Sequence, residues 1–296
     1  MSDLRDTDIV SAAESDAGPS SDVLLQTGAL TDEQARVVAE HQQDARIGFD
    51  QAAVALALAT EEDVAQARQI VEGNRALQLV PVEGVSSELV VISDPSSPRA
   101  EALRLLRTQV ISQHIGMGRR AFAVVGATDG VGVTYIAANL AVALAQVGIK
   151  VLLVDANLRD PRIDRIFGID PNGPGLTTYL TMAVNRPERV VYTNVLGNLS
   201  IVPAGPPVAR PQELLSSARF RTGADILLRQ FDVAVFDTSA SNENADALTV
   251  AGSLGYGLIV ARRNHSYVAD VQVLANQLAA GHATAIGSVL NEYDAD

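Results

Sequence analysis

The chain has 296 residues and a formal net charge of −13, with 35 acidic against 22 basic residues, which argues against general binding to nucleic acid or to an anionic membrane, since both need clustered lysine and arginine. Cysteine is absent and the four histidines (His41, His114, His265, His282) lie far apart, so disulfides and thiolate sites are excluded and no metal-histidine spacing is present. There is no charged, apolar leader and no unbroken run of 18 apolar residues, so a cytoplasmic chain is expected.

Residues 1–21 are rich in Ser, Asp, Ala and Gly; they carry too little apolar surface to offset the entropy of ordering and are expected to form a disordered tail. Residues 22–73 contain two similar segments, LLQTGALTDEQARVV and VALALATEEDVAQA, which align Thr31 on Thr60. Each threonine precedes acidic residues and an apolar-periodic run, as a helix N-cap does, and Thr31 with Gln34 forms a capping box. This region is predicted to be a small helical tandem repeat. Residues 74–98 place Pro81, Gly84, Pro95 and Pro98 among serines, the composition of an extended linker.

From residue 99 to 296 short apolar runs alternate with helical periods. FAVVG, KVLLVD, LSIVPAG, DVAVFD, YGLIVAR and TAIGSVLN are continuous apolar runs, as expected for strands buried on both faces. Helical stretches are predicted over Tyr135–Val147, Pro211–Gln230, Asn244–Gly252 and Val268–Ala280. The alternation implies an α/β fold with a doubly wound parallel sheet, whose ligands bind at the carboxyl ends of the strands.

Between FAVVG and YIAANLAVALAQ lies Ala127-Thr-Asp-Gly-Val-Gly-Val-Thr134, a glycine-rich turn at a strand-to-helix junction, as in a P-loop. Gly130 and Gly132 let the backbone curl around a phosphate, and the helix N-terminus offers free amides. The candidate cofactor-binding residues are Asp129, Gly130, Val131, Gly132, Val133, Thr134 and Tyr135, with Thr134 placed to hold Mg²⁺. Val133 stands where such a loop needs lysine, and the chain's single lysine is Lys150, at the start of the next strand pattern. Asp155 and Asp237 end two apolar strands; such carboxylates can hold a magnesium ion's water shell or accept a proton, so they are the candidate catalytic and metal residues, although each alone could simply cap a helix.

At these residues the chain resembles the cytoplasmic domain of bacterial tyrosine kinases of capsule and exopolysaccharide export. AANLAVALAQVGIKVLLVDANLRDP is similar to the region joining their Walker A and A′ motifs, VFDTS to Walker B, and PAGPPVARPQELLSS to the segment after the third strand. Glu101, Arg104 and Arg107 match the EX2RX2R motif, which implies a homo-oligomer. On the predicted helix Leu103, Leu106 and Val110 share one face and leave the three motif residues free on the adjacent arc.

The resemblance implies ATP and Mg²⁺ as cofactors, Asn291 against the adenine ring, a membrane chain-length-determinant protein as partner, and a position peripheral to the inner membrane through it. The chain departs from the family pattern at Val133, at Asn157 in place of the second Walker A′ aspartate, at Asp237-Thr-Ser-Ala240, at Glu292, and in its tail, where Tyr293 is the one tyrosine. These changes imply a pseudokinase with weak or lost ATP turnover. The alternatives are a working autokinase or ATPase rescued by Arg159 reaching inward, and a MinD-like positioning ATPase. The N-terminal repeat is similar to a cyclic-di-GMP-binding module, but the basic-apolar-glycine lead is missing at Pro19–Ser21 and only loosely present at Arg46-Ile-Gly48, so protein docking is preferred to that ligand.

Overall fold

The computed structural model describes residues 19–27, 29–45, 47–68, 84–242 and 244–292. The chain divides into two compact units, Met1–Val71 and Glu72–Asp296.

The first unit contains α1 (Pro19–Gln26), α2 (Asp32–Ala45), α3 (Phe49–Ala55) and α4, helical over residues 61–68. Its core is Val23, Leu24, Leu30, Val38, Phe49, Ala52, Ala53, Ala59, Val64 and Ala67. Both repeats carry the cap expected of them. The N–H of Gln34 donates to Thr31 Oγ1 while Thr31 N–H donates to Gln34 Oε1, and Asp63 does the same for Thr60, so four orphan donors are satisfied. The assigned tail lies outside the described residues except for Pro19–Ser21, which are the first turn of α1; there Ser21 is buried beside the core residues Val23 and Leu24, so these three residues are not tail.

In the second unit the order is α5 (Val90–Ser93), α6 (Pro98–Gln113), β1 (Ala121–Gly126), α7 (Val133–Ala145), β2 (Val151–Asp155), α8 (Ile163–Phe167) and α9 (Leu176–Leu180). It continues with β3 (Tyr192–Leu196), β4 (Leu199–Val202), α10 (Pro211–Leu215), α11 (Ala218–Leu228), β5 (Val233–Asp237), α12 (Asp246–Leu254), β6 (Tyr256–Arg262), α13 (Val268–Ala280) and β7 (Thr284–Asn291). The sheet runs β3-β4-β2-β5-β1-β6-β7, with every pair parallel except β3–β4.

The period of two in a strand explains the two layers. Phe122 and Val124 of β1, Val151 and Leu153 of β2, and Val233 and Val235 of β5 join α6 and α7 in one core. Their neighbours Ala123, Val125, Leu152, Val154, Ala234 and Phe236 join α9, α11, α12 and α13 in the other. This is why the strands read as unbroken apolar runs. The tips of β1, β2 and β5 therefore meet at one edge of the sheet.

Two expectations are corrected. From residue 84 the assigned linker is a packed strap, because Leu89 and Val91 are buried and Asn139 of α7 accepts the Val91 N–H and donates to the Glu88 carbonyl. Ser86 N–H donates to Ile166 at the end of α8; the remaining linker residues up to 83 lie outside the described part. The helix expected over Pro211–Gln230 is two, because Ser217 turns extended and caps α11 by accepting the Phe220 N–H.

Candidate functional site

Residues 127–132 join the tip of β1 to α7. Gly130 and Gly132 lie at φ 71° and 95°, a region in which a Cβ is strained, and the Asn291 side chain fills the space a Cβ on Gly132 would need. Three consecutive loop carbonyls are held from the rim formed by β6, β7 and the turn after β6. Asp129 accepts from His265 Nε2 at 3.1 Å, Gly130 from the Arg262 guanidinium at 3.2 Å, and Val131 from Asn291 Nδ2 at 2.9 Å. A carbonyl only accepts, so His265 carries its proton on Nε2. Among the described residues the N–H groups of Thr128 to Gly132 donate to no protein acceptor. Carbonyls engaged and amides open, at a helix N-terminus, make an anion cradle.

Beside it, Asp155 and Asp237 are register partners across β2 and β5, so both carboxylates stand on one face at one rung of the sheet. Both are fully buried. Asp237 Oδ2 accepts the Thr134 hydroxyl at 2.8 Å, while Asp237 Oδ1 has no partner. Asp155 accepts the N–H groups of Asn157, Arg162 and Ile163 at 3.1–3.2 Å, which also caps α8. Burial, and secondarily the charge of Asp237, pushes Asp155 well above the ordinary carboxylate range. Burial raises Asp237 to about 7, against the opposing pull of the Thr134 hydroxyl and the Arg162 charge. The pair thus titrates as a unit. An orphaned buried oxygen beside a hydroxyl and a second carboxylate fits Mg²⁺, which takes hard oxygen ligands and would neutralise phosphate charge there. Thr134, Asp155 and Asp237 would hold it.

Val133 is buried. Its Cγ2 lies 2.8 Å from where a Cβ on Gly126 would be, and it belongs to the core cluster of β1 and α7. At the lysine position the chain therefore has a hydrocarbon packed into the fold. Lys150 does not stand in, since it precedes β2 while Asp155 ends it, five residues and about 16 Å of strand away. Arg159 is bound through both Oδ atoms of buried Asp246, at 2.7 and 3.3 Å, so the structure ties it to α12. Asn157 is used locally, donating to the Asp160 carbonyl and accepting the Asp160 N–H.

The EX2RX2R expectation is corrected in part. Arg107 is 6% exposed and its guanidinium is lowered from its ordinary range by burial and then by the Arg104 charge. The reason is spacing: Arg107 is four residues after Leu103 and three before Val110, on the same buried stripe. Arg104 pairs with Glu101 at 2.5 Å and donates to the Pro95 carbonyl, while Glu101 remains exposed. Asn291 reaches the cradle by gripping Val131 with its amide, and neighbouring Glu292 pairs with Arg263 at 3.2 Å. Tyr293 lies outside the described residues, as does Arg46. Sequence reasoning missed Arg162, Arg262 and His265; only Arg162 had a signal, its place directly after the carboxylate-bearing turn.

No protein-family model matches the chain. It is 33% identical over 201 residues to EpsB of Ralstonia solanacearum, covering 68% of this chain but 26% of that protein, so it spans about a quarter of this relative. It is 28% identical to the tyrosine-protein kinase YwqD of Bacillus subtilis, over 69% of this chain and 85% of the relative. Among solved structures, the kinase domain of the Escherichia coli tyrosine kinase ETK superposes with a TM-score of 0.65 at 26% identity, covering 70% of this chain and 82% of that one. The septum site-determining protein MinD of Pyrococcus horikoshii, complexed with Mg-ADP, matches at a TM-score of 0.52 and 24% identity over 59% of this chain and 70% of that one, a likeness of fold alone.

Proposed function

Because the chain belongs to the bacterial tyrosine-kinase family, we propose that it is a regulator of exopolysaccharide assembly that binds Mg-ATP weakly and turns it over slowly or not at all. The observation that carries this reading is Val133, a buried hydrocarbon in the lysine position, directly beside an intact Thr134–Asp237 pair. A single preorganised donor to a developing charge is worth about 3–4 kcal/mol in the transition state, so its loss slows transfer by roughly two to three orders of magnitude. The cradle amides and the carboxylates remain to hold a nucleotide.

In this reading the protein acts through contacts: self-association through the exposed Glu101 and the half-buried Arg104 of α6, and docking to a membrane chain-length-determinant protein. Among the described residues no helix is long and apolar enough to cross a membrane.

The test is calorimetric titration with Mg-ATP together with phosphate release, on the unaltered chain and on Val133→Lys. The expected result is weak binding and negligible release that both rise in the variant. A second reading, a working autokinase or ATPase, is favoured by one feature: a carboxylate raised to about 7 is poised to accept a proton near neutrality. Robust release by the unaltered chain that Val133→Lys leaves unchanged would establish that reading and end the first.

A further inference from the structure

Arginines near the cradle differ in what holds them. Arg159 is bound by buried Asp246, and Arg262 donates to the Gly130 carbonyl. Arg162 is placed by its backbone, whose N–H donates to Asp155 Oδ2, so its side chain starts at the carboxylate rung. That side chain turns away to Glu88, with Nη2 3.1 and 3.0 Å from the two carboxylate oxygens. Glu88 sits on the strap, its carbonyl fixed by Asn139 of α7. It also stands close to the first turn of that helix, since the Asn139 amide that holds the Glu88 carbonyl donates equally to the Tyr135 carbonyl, both at 3.0 Å. The pair is exposed, 45% for Arg162 and 43% for Glu88.

We infer that Arg162 is the phosphate-binding cation that substitutes for the missing loop lysine, and that Glu88 is an internal competitor holding it aside until a triphosphate arrives. The inference rests on the Mg-ATP reading above and deepens it. Exposure makes the ion pair weak. A terminal phosphate offers the guanidinium three oxygens and more charge than one carboxylate, in a geometry that suits its planar fork. The strap would then sense occupancy: when Arg162 leaves, Glu88 is released at the start of α7. Since the terminal phosphate is the added attraction, ATP and ADP should be told apart by this arginine.

The experiment is titration of Mg-ATP and Mg-ADP into the unaltered chain, Glu88→Gln, Arg162→Ala and the double variant, with melting curves to show that each is folded. Glu88→Gln is expected to tighten ATP about 3- to 10-fold and ADP less than about 2-fold. Arg162→Ala should weaken ATP by about 10-fold, and the double variant should match it, because the gain runs through Arg162. ATP affinity unchanged in Arg162→Ala, or a gain that survives in the double variant, overturns the inference. Equal ADP binding by all four with no ATP response discards the latch and leaves the cradle reading standing; no binding of either nucleotide by any of the four overturns both.

Discussion

The Thr134 hydroxyl donates to Asp237 at 2.8 Å inside a fully buried site, tying the first turn of α7 to the tip of β5. The hydroxyl and the carboxylate that would share a magnesium ion are therefore already gathered by a hydrogen bond of their own. Asp237 and Asp155, buried at one rung of the sheet, hold a proton more tightly than free carboxylates do.

Asp237 rises from its ordinary 3.8 to about 7. The unfolded chain releases this proton near 3.8, while the folded chain keeps it until about 7. The stability linked to it is complete below 3.8, declines as pH climbs through the interval, and is gone above about 7. Asp237→Asn keeps an acceptor for Thr134 without the charge, so its melting temperature should fall less than that of the unaltered chain between pH 5 and pH 8. Millimolar Mg²⁺ should raise the unaltered chain at pH 8 and barely move the variant. Parallel melting-versus-pH curves would refute the shared-proton account.

Val133→Lys should cost stability while restoring charge. Val131 and Val133 together fill the space over Gly126, and replacing one hydrocarbon there with an ammonium is expected to lower unfolding stability by about 1–3 kcal/mol. Denaturant titration without nucleotide checks the loss, and saturating Mg-ATP should offset part of it. A variant as stable as the parent would mean the lysine escapes to solvent without disturbing the packing.

The rim clamp predicts a graded effect on the cradle. Asn291→Ala removes the donor to Val131 and should weaken Mg-ADP binding about 5-fold, the equivalent of one net hydrogen bond of roughly 1 kcal/mol. Asn291→Asp should be no better, since an ionised carboxylate accepts only. Gly132→Ala, at φ 95° and against the Asn291 side chain, should be worse than either and also lower stability by about 1–3 kcal/mol. Calorimetry on the three variants orders them.

Arg104 and Arg107 should separate cleanly. Arg104→Ala removes an i,i+3 pair and the donor to the Pro95 carbonyl and should cost about 1 kcal/mol. Arg107→Ala empties a buried position and should cost about 2–4 kcal/mol. Chemical denaturation measures both. Sedimentation of Arg104→Ala then reports on self-association, whereas a change in Arg107→Ala reports on packing.

The parallel strands, the glycine turn and the two carboxylates were legible because each signal is local: unbroken apolar runs, glycines at a strand-helix junction, an aspartate at a strand end. β3 was not, because Tyr192–Leu196 buries only Leu196 fully, is irregular in register and antiparallel, and has no apolar run to mark it. The five-residue α8 and α9 are too short to show a helical period. Arg107 was misplaced because a charged residue at the right spacing for the core was read as solvated. The rim and the strap were out of reach for another reason: His265 meets Asp129 across 136 residues, Arg262 meets Gly130 across 132, and Arg162 meets Glu88 across 74. Such encounters exist only after the sheet has assembled.

The solitary lysine at the far end of β2 makes the molecule convenient to handle. Its backbone N–H is engaged by Asp232 and its carbonyl accepts the Asp232 N–H, so the residue is fixed where the strand starts. Amine-directed dyes, surface coupling or biotin attached at Lys150 would mark the end of the sheet opposite the cradle, and fluorescence or immobilised-chain measurements made that way should leave nucleotide affinity as it was.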